Sequence, residues 1–501
     1  MSTMLSSTLT KPGIINFPGQ TPDSKKTVER LLKEDREKHH CFWGRIRFHN
    51  HLSHQLLASY SFGASAKQLQ AIADSQNENL DPIYLNDPET QPIDDAVVIT
   101  GETWTQYVGQ EKYYISLMKF FASEVEKLGA GETLEQYIFS PAANGNGADM
   151  LLRFIGGAVH PLIQTGYAAE FGSDAMVAQA LAQAALHSPF LPELFDFISV
   201  PNISDRKRIA ADVGRQPAQG LSLLEILREM YDSPILHPVM PYDPDALLSK
   251  RVADARKDGR PEEIRRLSRL WYIDATRGQA ELDEKVEELM WLATLLLAGS
   301  GKPGRKPRMD FFLMHMVTSS LFVPSLLETI PTMESKVVLL RAMLPVILWY
   351  VLVRGRPRID PTLVMSYTET PRPPNGAGLA SLPRNESAIG DIADSTYTNP
   401  WPEIVASAVH FPEAHLVKTI RSLYYGAQKF GTTSAGGAIG AFRRDGSETH
   451  NGTSKMDGTI FVRAAGVVID ALGWVSHGQK AGQWDRSALG WDDAWKNPDG
   501  Q

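Results

Sequence analysis

ADMLLRFIGGAVHPLIQTGYAAEFGSDAMVAQALAQAALH, residues 148–187, decides the fold class of this chain. Its two halves, 148–170 and 174–187, are rich in Ala and Leu with small residues interspersed. Such stretches favour helix and let helices approach closely. Neither half alternates apolar and polar residues as a half-buried strand would. Working outward, helical patterning recurs at 27–38, 45–61, 103–128, 221–231, 309–329, 335–353, 401–430 and 458–476. Glu281 and Lys285, four apart in the charged block 245–288, read as an exposed ion pair on a helix that runs into an apolar one. The segment 97–100 (VVIT) is the best strand candidate, and no βαβ alternation or internal repeat is present. The expected architecture is all-α: a large multi-helix bundle around a central buried site.

The expected organisation is an irregular lead-in over 1–25, one helical domain over 26–477, and a tail over 478–501 whose Trp484, Trp491 and Trp495 should dock. Residues 73–97 read as a loop. Residues 354–400, rich in Pro, Gly, Asn and Ser, read as a long loop of the kind that serves as a lid.

Bulk composition excludes several function classes. Of the 501 residues, 50 are basic and 58 acidic, for a net charge of −8, which argues against nucleic acid as the main partner. The basic run at 302–308 reads as a solvated loop. The single cysteine, Cys41, rules out an intramolecular disulfide and points to a reducing, cytoplasmic setting. The first residues lack the apolar core of a signal peptide. The apolar stretches 289–298 and 343–353 are shorter than the roughly 20 residues of a membrane span. Gly299–Gly304 fits G-x-G-x-x-G, but a helix precedes it and Pro303 follows, so it reads as a helix–helix loop. No P-loop and no nucleophile elbow is present.

The chemistry lies in the histidines. Thirteen occur, several inside apolar helices, where an imidazole needs a partner. His51 and His54 are three apart and share a face opposite Leu52, Leu56 and Tyr60; His49 falls outside that face. His160, followed by Pro161 at a helix start, shares a stripe with Gln164 and Tyr167. His187 ends an Ala-rich helix. His315 lies amid Phe and Met. His415 and Lys418 are three apart, with Ser422 and Gly426 extending the stripe. An ammonium cannot ligate a metal. A buried lysine can bind an anion, or lose its proton and take up carbon dioxide as a carbamate; an ion pair with Glu413 or Glu403 is the plain alternative.

The segments HNHLSHQLLASYSFGA (49–64), GGAVHPLIQTGYAAEF (156–171), ALAQAALH (180–187), DFFLMHMVTSSLF (310–322) and EAHLVKTIRSL (413–423) together resemble the questin oxidase family of fungal polyketide pathways, also described as Baeyer–Villiger-type oxidases. The resemblance implies an oxygenase that opens an anthraquinone ring in secondary metabolism, with a small aromatic polyketide as partner. It also implies a second histidine where this chain has Gln164. Family pathways invoke oxygen and NADPH, and no site for that nucleotide is visible here. On this resemblance the expected cofactors are Fe(II) and molecular oxygen. One iron is expected on His54, His160, His187, His315 and Lys418, the lysine in its carbamate form. His51, His415 and Tyr167 are expected as catalytic proton carriers. The alternatives are an NADPH-dependent or cofactorless oxygenase with histidines as acid and base, and a non-catalytic polyketide-binding protein.

Overall fold

Capping chemistry sets where the helices begin. Thr21 and Ser24 form a reciprocal capping box, with Pro22 in the first turn, and start the helix Pro22–Lys38. The Asn50 side chain accepts the Leu52 N–H at 2.9 Å and starts Leu52–Ser61. Asp310 accepts the N–H groups of Phe312 and Leu313 and starts Phe311–Ser320. A computed structural model describes residues 5–83, 97–195, 214–374, 389–391 and 394–496. They form an all-α fold, with one two-stranded hairpin (Phe42–Trp43 with Phe48–His49) as the only sheet among the described residues.

The chain groups into two units, Met1–Phe195 with Phe322–Met343, and Asp196–Leu321 with Leu344–Gln501. In the first, Tyr114–Leu134 and Gly156–Phe171 both pack on Asp174–Leu186, and Leu52–Ser61 and Val323–Thr329 lie against Gly156–Phe171. Gly166 permits the last contact, because a Cβ there would come within 2.2 Å of the Phe322 side chain. In the second, Ala414–Phe430 packs on Phe311–Ser320, Trp401–His410 and Ile460–Leu472, and Gln279–Ala298 packs on Phe311–Ser320 and Ile460–Leu472. The tail docks on this unit: Trp484, Trp491 and Trp495 are buried, and Arg308 pairs with Asp485 at 2.6 Å.

Several expectations are corrected. The helix expected over 45–61 begins at Leu52; Gly44 and Arg47, both with positive φ, turn the chain into the hairpin that ends at His49. Residues 97–100 form no strand, since no neighbouring strand supplies a ladder. Glu281 and Lys285 are buried, not exposed. Lys285 lies 2.8 Å from Glu288, while the carboxylates of Glu281 and Glu288 accept the N–H groups of Asp274 and Leu223. The helix expected over 401–430 is two, because Glu413 caps a new start by accepting the His415 N–H. The expected loop at 73–97 begins inside the helix Ala66–Asn77, and 84–96 lie outside the described residues. Within 354–400, Pro361–Ser366 is helical, and 375–388 and 392–393 lie outside the described residues. Phe311–Thr329 and Met333–Val353 are long and apolar enough to cross a bilayer, but 78% and 83% of their most apolar windows is buried in protein.

Candidate functional site

In the first unit, five histidines come together from four segments. The hairpin delivers His49. The turn after it places His51 immediately before the helix Leu52–Ser61, which carries His54 in its first turn. His160 follows a left-handed turn, Gly157-Ala158-Val159, with φ of 55°, 52° and 59°. His187 caps the C-terminus of Asp174–Leu186. The His49 ring stacks on His160 with centroids 3.7 Å apart and planes 5° from parallel. The His49 and His187 Nε2 atoms are 2.8 Å apart, as are those of His51 and His160.

Proton positions follow from the partners. His160 Nδ1 lies 2.6 Å from the Gly157 carbonyl, and His187 Nδ1 lies 2.7 Å from the Gln183 carbonyl. A carbonyl only accepts, so each Nδ1 carries the proton and each Nε2 keeps its lone pair. His51 and His49 therefore donate their Nε2–H to them. Burial holds His187 down at about 4, so it is neutral at neutral pH. His54 Nε2 lies 2.7 Å from the Gln164 amide oxygen, which also accepts the Ser53 hydroxyl at 3.1 Å. This leaves the His54 lone pair on Nδ1. Tyr167 is buried, with its ring 5.1 Å from that of His54. Gly157 is required twice over: its φ is positive, and a Cβ would meet the His187 ring at 2.3 Å.

In the second unit, Phe311–Ser320 carries His315, and Ala414–Phe430 carries His415 and Lys418. The His315 and His415 ring centroids are 5.0 Å apart, and Phe311 packs on both, at 4.9 and 5.0 Å. His315 Nδ1 lies 2.8 Å from the Phe311 carbonyl. His415 Nδ1 bonds to Glu413, which also accepts the Trp484 indole N–H at 3.0 Å. Both Nε2 atoms therefore keep their lone pairs. Burial, reinforced by the Lys418 charge, pushes His315 down to about 3. Lys418 is 1% exposed, and its Nζ has no hydrogen-bond partner among the described residues. Burial lowers it to about 7, against the pull of Glu413. The plain ion pair is not formed: His415 and Trp484 engage Glu413, and Glu403 lies 3.3 Å from His477. Cys41 is buried and its thiol is pushed up, which suits an inert side chain.

The model of the questin oxidase-like family matches residues 48–423, a span that contains every one of these histidines and Lys418. The chain belongs to the questin oxidase-like family. A questin oxidase of Aspergillus fumigatus is 27% identical over 63% of this chain and 67% of its own length. A Baeyer–Villiger oxidase of Paecilomyces divaricatus is 25% identical over 83% of this chain and 81% of its own. A questin oxidase of Aspergillus terreus is 25% identical over 80% of both. This member of the questin oxidase-like family is thus an oxidoreductase of the oxidase or oxygenase kind.

The structure brings His51, His54, His160, His187 and Tyr167 together within the first unit, and His315, His415 and Lys418 within the second. Sequence reasoning expected one site, with His54, His160, His187, His315 and Lys418 on one iron and His51, His415 and Tyr167 beside it. It missed His49, because a helical period through 45–61 points that residue away. It also missed Glu413 as the partner of His415. The signal for Glu413 was present: an acidic residue two before His415, just after Pro412, is a helix cap.

Proposed function

We propose that this protein catalyses oxygen-dependent oxidative ring opening of a hydroxylated anthraquinone or a closely related planar polyketide in fungal secondary metabolism. The observation that carries the reading is the family match, which runs through both histidine clusters. The relatives' descriptions as questin oxidase and Baeyer–Villiger oxidase support the reaction class.

Iron is the cofactor we assign. Its fit rests on the donor chemistry: His160, His187 and His315 each have Nδ1 tied to a backbone carbonyl, the arrangement that orients a metal-binding imidazole and puts the lone pair on Nε2, which in His160 and His187 accepts from His51 and His49 and would turn to the metal when it binds. The donors assigned in the first unit are His54, His160 and His187, and in the second His315 and Lys418. When bound, iron would supply one-electron access to dioxygen, with neutral imidazoles suited to that metal. Everything else falls to the side chains. At about 7, Lys418 has a substantial neutral fraction at neutral pH. A neutral amine adds to carbon dioxide and releases one proton, giving an anionic oxygen donor. His315, held at about 3, keeps its lone pair unprotonated throughout the working range. His51, His415 and Tyr167 hold and move protons as the phenolic substrate is oxidised.

The test is metal analysis of untagged, chelator-free protein, alongside oxygen uptake with a hydroxyanthraquinone. We expect stoichiometric iron and oxygen-dependent loss of the quinone chromophore. Activity retained without iron, or activity that needs NADPH and survives chelation, overturns the iron assignment. No oxygen-dependent turnover of any hydroxyanthraquinone overturns the reading itself.

A further inference from the structure

The docked tail brings a cation to the edge of the second cluster. Arg486 is exposed, and its guanidinium lies 4.3 Å over the ring of Phe311, the aromatic that packs on both His315 and His415. Among the described residues its guanidinium has no hydrogen-bond acceptor and no carboxylate partner. The neighbouring carboxylates are taken: Asp485 by Arg308, and Glu413 by His415 and Trp484. The backbone on either side of Arg486 is fixed. Phe311 N–H donates to the Asp485 carbonyl at 2.8 Å, Asp485 N–H donates to the Met309 carbonyl at 2.8 Å, and Ser487 N–H donates to the Asp485 side chain at 2.8 Å. The charge of Arg486 is felt as far in as the His315 ring. Phe311 is half-buried, whereas His315, His415 and Lys418 beyond it are buried.

A guanidinium stacked on an aromatic face keeps its in-plane N–H fork free, and that fork matches an oxyanion. A planar aromatic ligand extends the stack on Phe311. We propose that Arg486 and Phe311 form a substrate-recognition site for an oxyanion, phenolate or carboxylate, borne on a planar aromatic ring. This rests on the reading of the protein as an oxidase of hydroxylated polyketides. It adds a specificity-determining residue that lies beyond the segment 48–423 matched by the family. The preformed arginine spares the ordering cost of a floppy side chain.

The experiment measures binding to the full-length protein without oxygen, so that no turnover intervenes. Three ligands are compared by tryptophan fluorescence: a dihydroxyanthraquinone, its dimethyl ether and an anthraquinone carboxylate. We expect Arg486→Gln to weaken the dihydroxy or carboxylate ligand about three- to tenfold, as loss of a charge-assisted contact near solvent would. The ether should be unaffected. Loss confined to one of the two identifies the oxyanion as phenolate or carboxylate. Arg486→Lys should recover part of the loss, and Phe311→Leu should weaken all three ligands alike. Equal weakening of the ether by Arg486→Gln, no weakening of any ligand, or no binding by the wild type overturns the proposal. Binding with the expected discrimination but no oxygen uptake leaves this site standing and overturns the oxidase reading instead.

Discussion

Imidazoles in the two units are held by different forces. In the first, His160 and His187 lean on backbone carbonyls, and His51 and His49 lean on them in turn, so four rings are tied to one another and to the backbone. In the second, His315 also leans on a backbone carbonyl, that of Phe311, but charge is added: Glu413 fixes His415, and the helix bearing His315 starts at Asp310, which is also buried against Arg354 at 2.8 Å. A backbone-held cluster depends on φ and ψ, which a substitution alters only by strain. A charge-held cluster depends on desolvated ions, where removing one partner strands the other.

The largest expected effect tests the charge-held region. Asp310→Asn keeps the capping oxygen but leaves Arg354, 1% exposed, without its counter-ion. It should cost about 3–5 kcal/mol in urea unfolding. A loss below about 1 kcal/mol would mean that the pair does not hold this region. Gly157→Ala tests the backbone-held region. The added Cβ meets the His187 ring and sits at positive φ, so we expect a loss of about 2–4 kcal/mol from overpacking and strain. The histidine nitrogen NMR signals of that cluster should move with it. Unchanged His187 signals would sink the idea that the turn positions this ring.

The smallest effect, and the sharpest, is Lys418→Met. Removing a buried, unsatisfied ammonium should raise stability by about 1–3 kcal/mol at neutral pH while oxidation is lost. The pH dependence gives the sign. Lys418 titrates near 7 in the folded protein, below the 10.5 of a free lysine. Between these values the unfolded chain binds the extra proton, so this group adds about 1.4 kcal/mol of stability per pH unit as pH rises. Below about 7 both states are protonated and the full penalty remains. In carbon dioxide-free buffer, the gain from Lys418→Met should therefore shrink by about 1.4 kcal/mol per pH unit above pH 7 and be gone before pH 10. A constant gain would show that the lysine is not destabilised by burial.

Much of this was legible in the sequence. The Ala-rich pattern over 148–187 gave helices, Pro161 marked the first turn of one, and the isolated histidines in apolar helices flagged the residues of both clusters, though as members of one site. The illegible parts share a cause. His49 joins its cluster through a hairpin that starts at two residues of positive φ, one of them Arg47, and no periodicity announces that. Glu281 and Lys285 show ideal spacing for a surface pair, yet lie buried because loop N–H groups from elsewhere need those carboxylates. Arg486 is an unremarkable residue in a polar tail until Phe311 lies beneath it.

By itself, the sequence determined the all-α class, the helical segments that carry the histidines and, through five motifs in order, the family. Those properties follow from local propensity and from residue identity, which a linear string contains in full. Only the tertiary structure decided which imidazole nitrogen keeps its lone pair, how deeply Lys418 is desolvated and which carboxylates are already engaged. Each of these depends on atoms brought together from distant parts of the chain, and a proton's position or a pKa is a property of that surrounding.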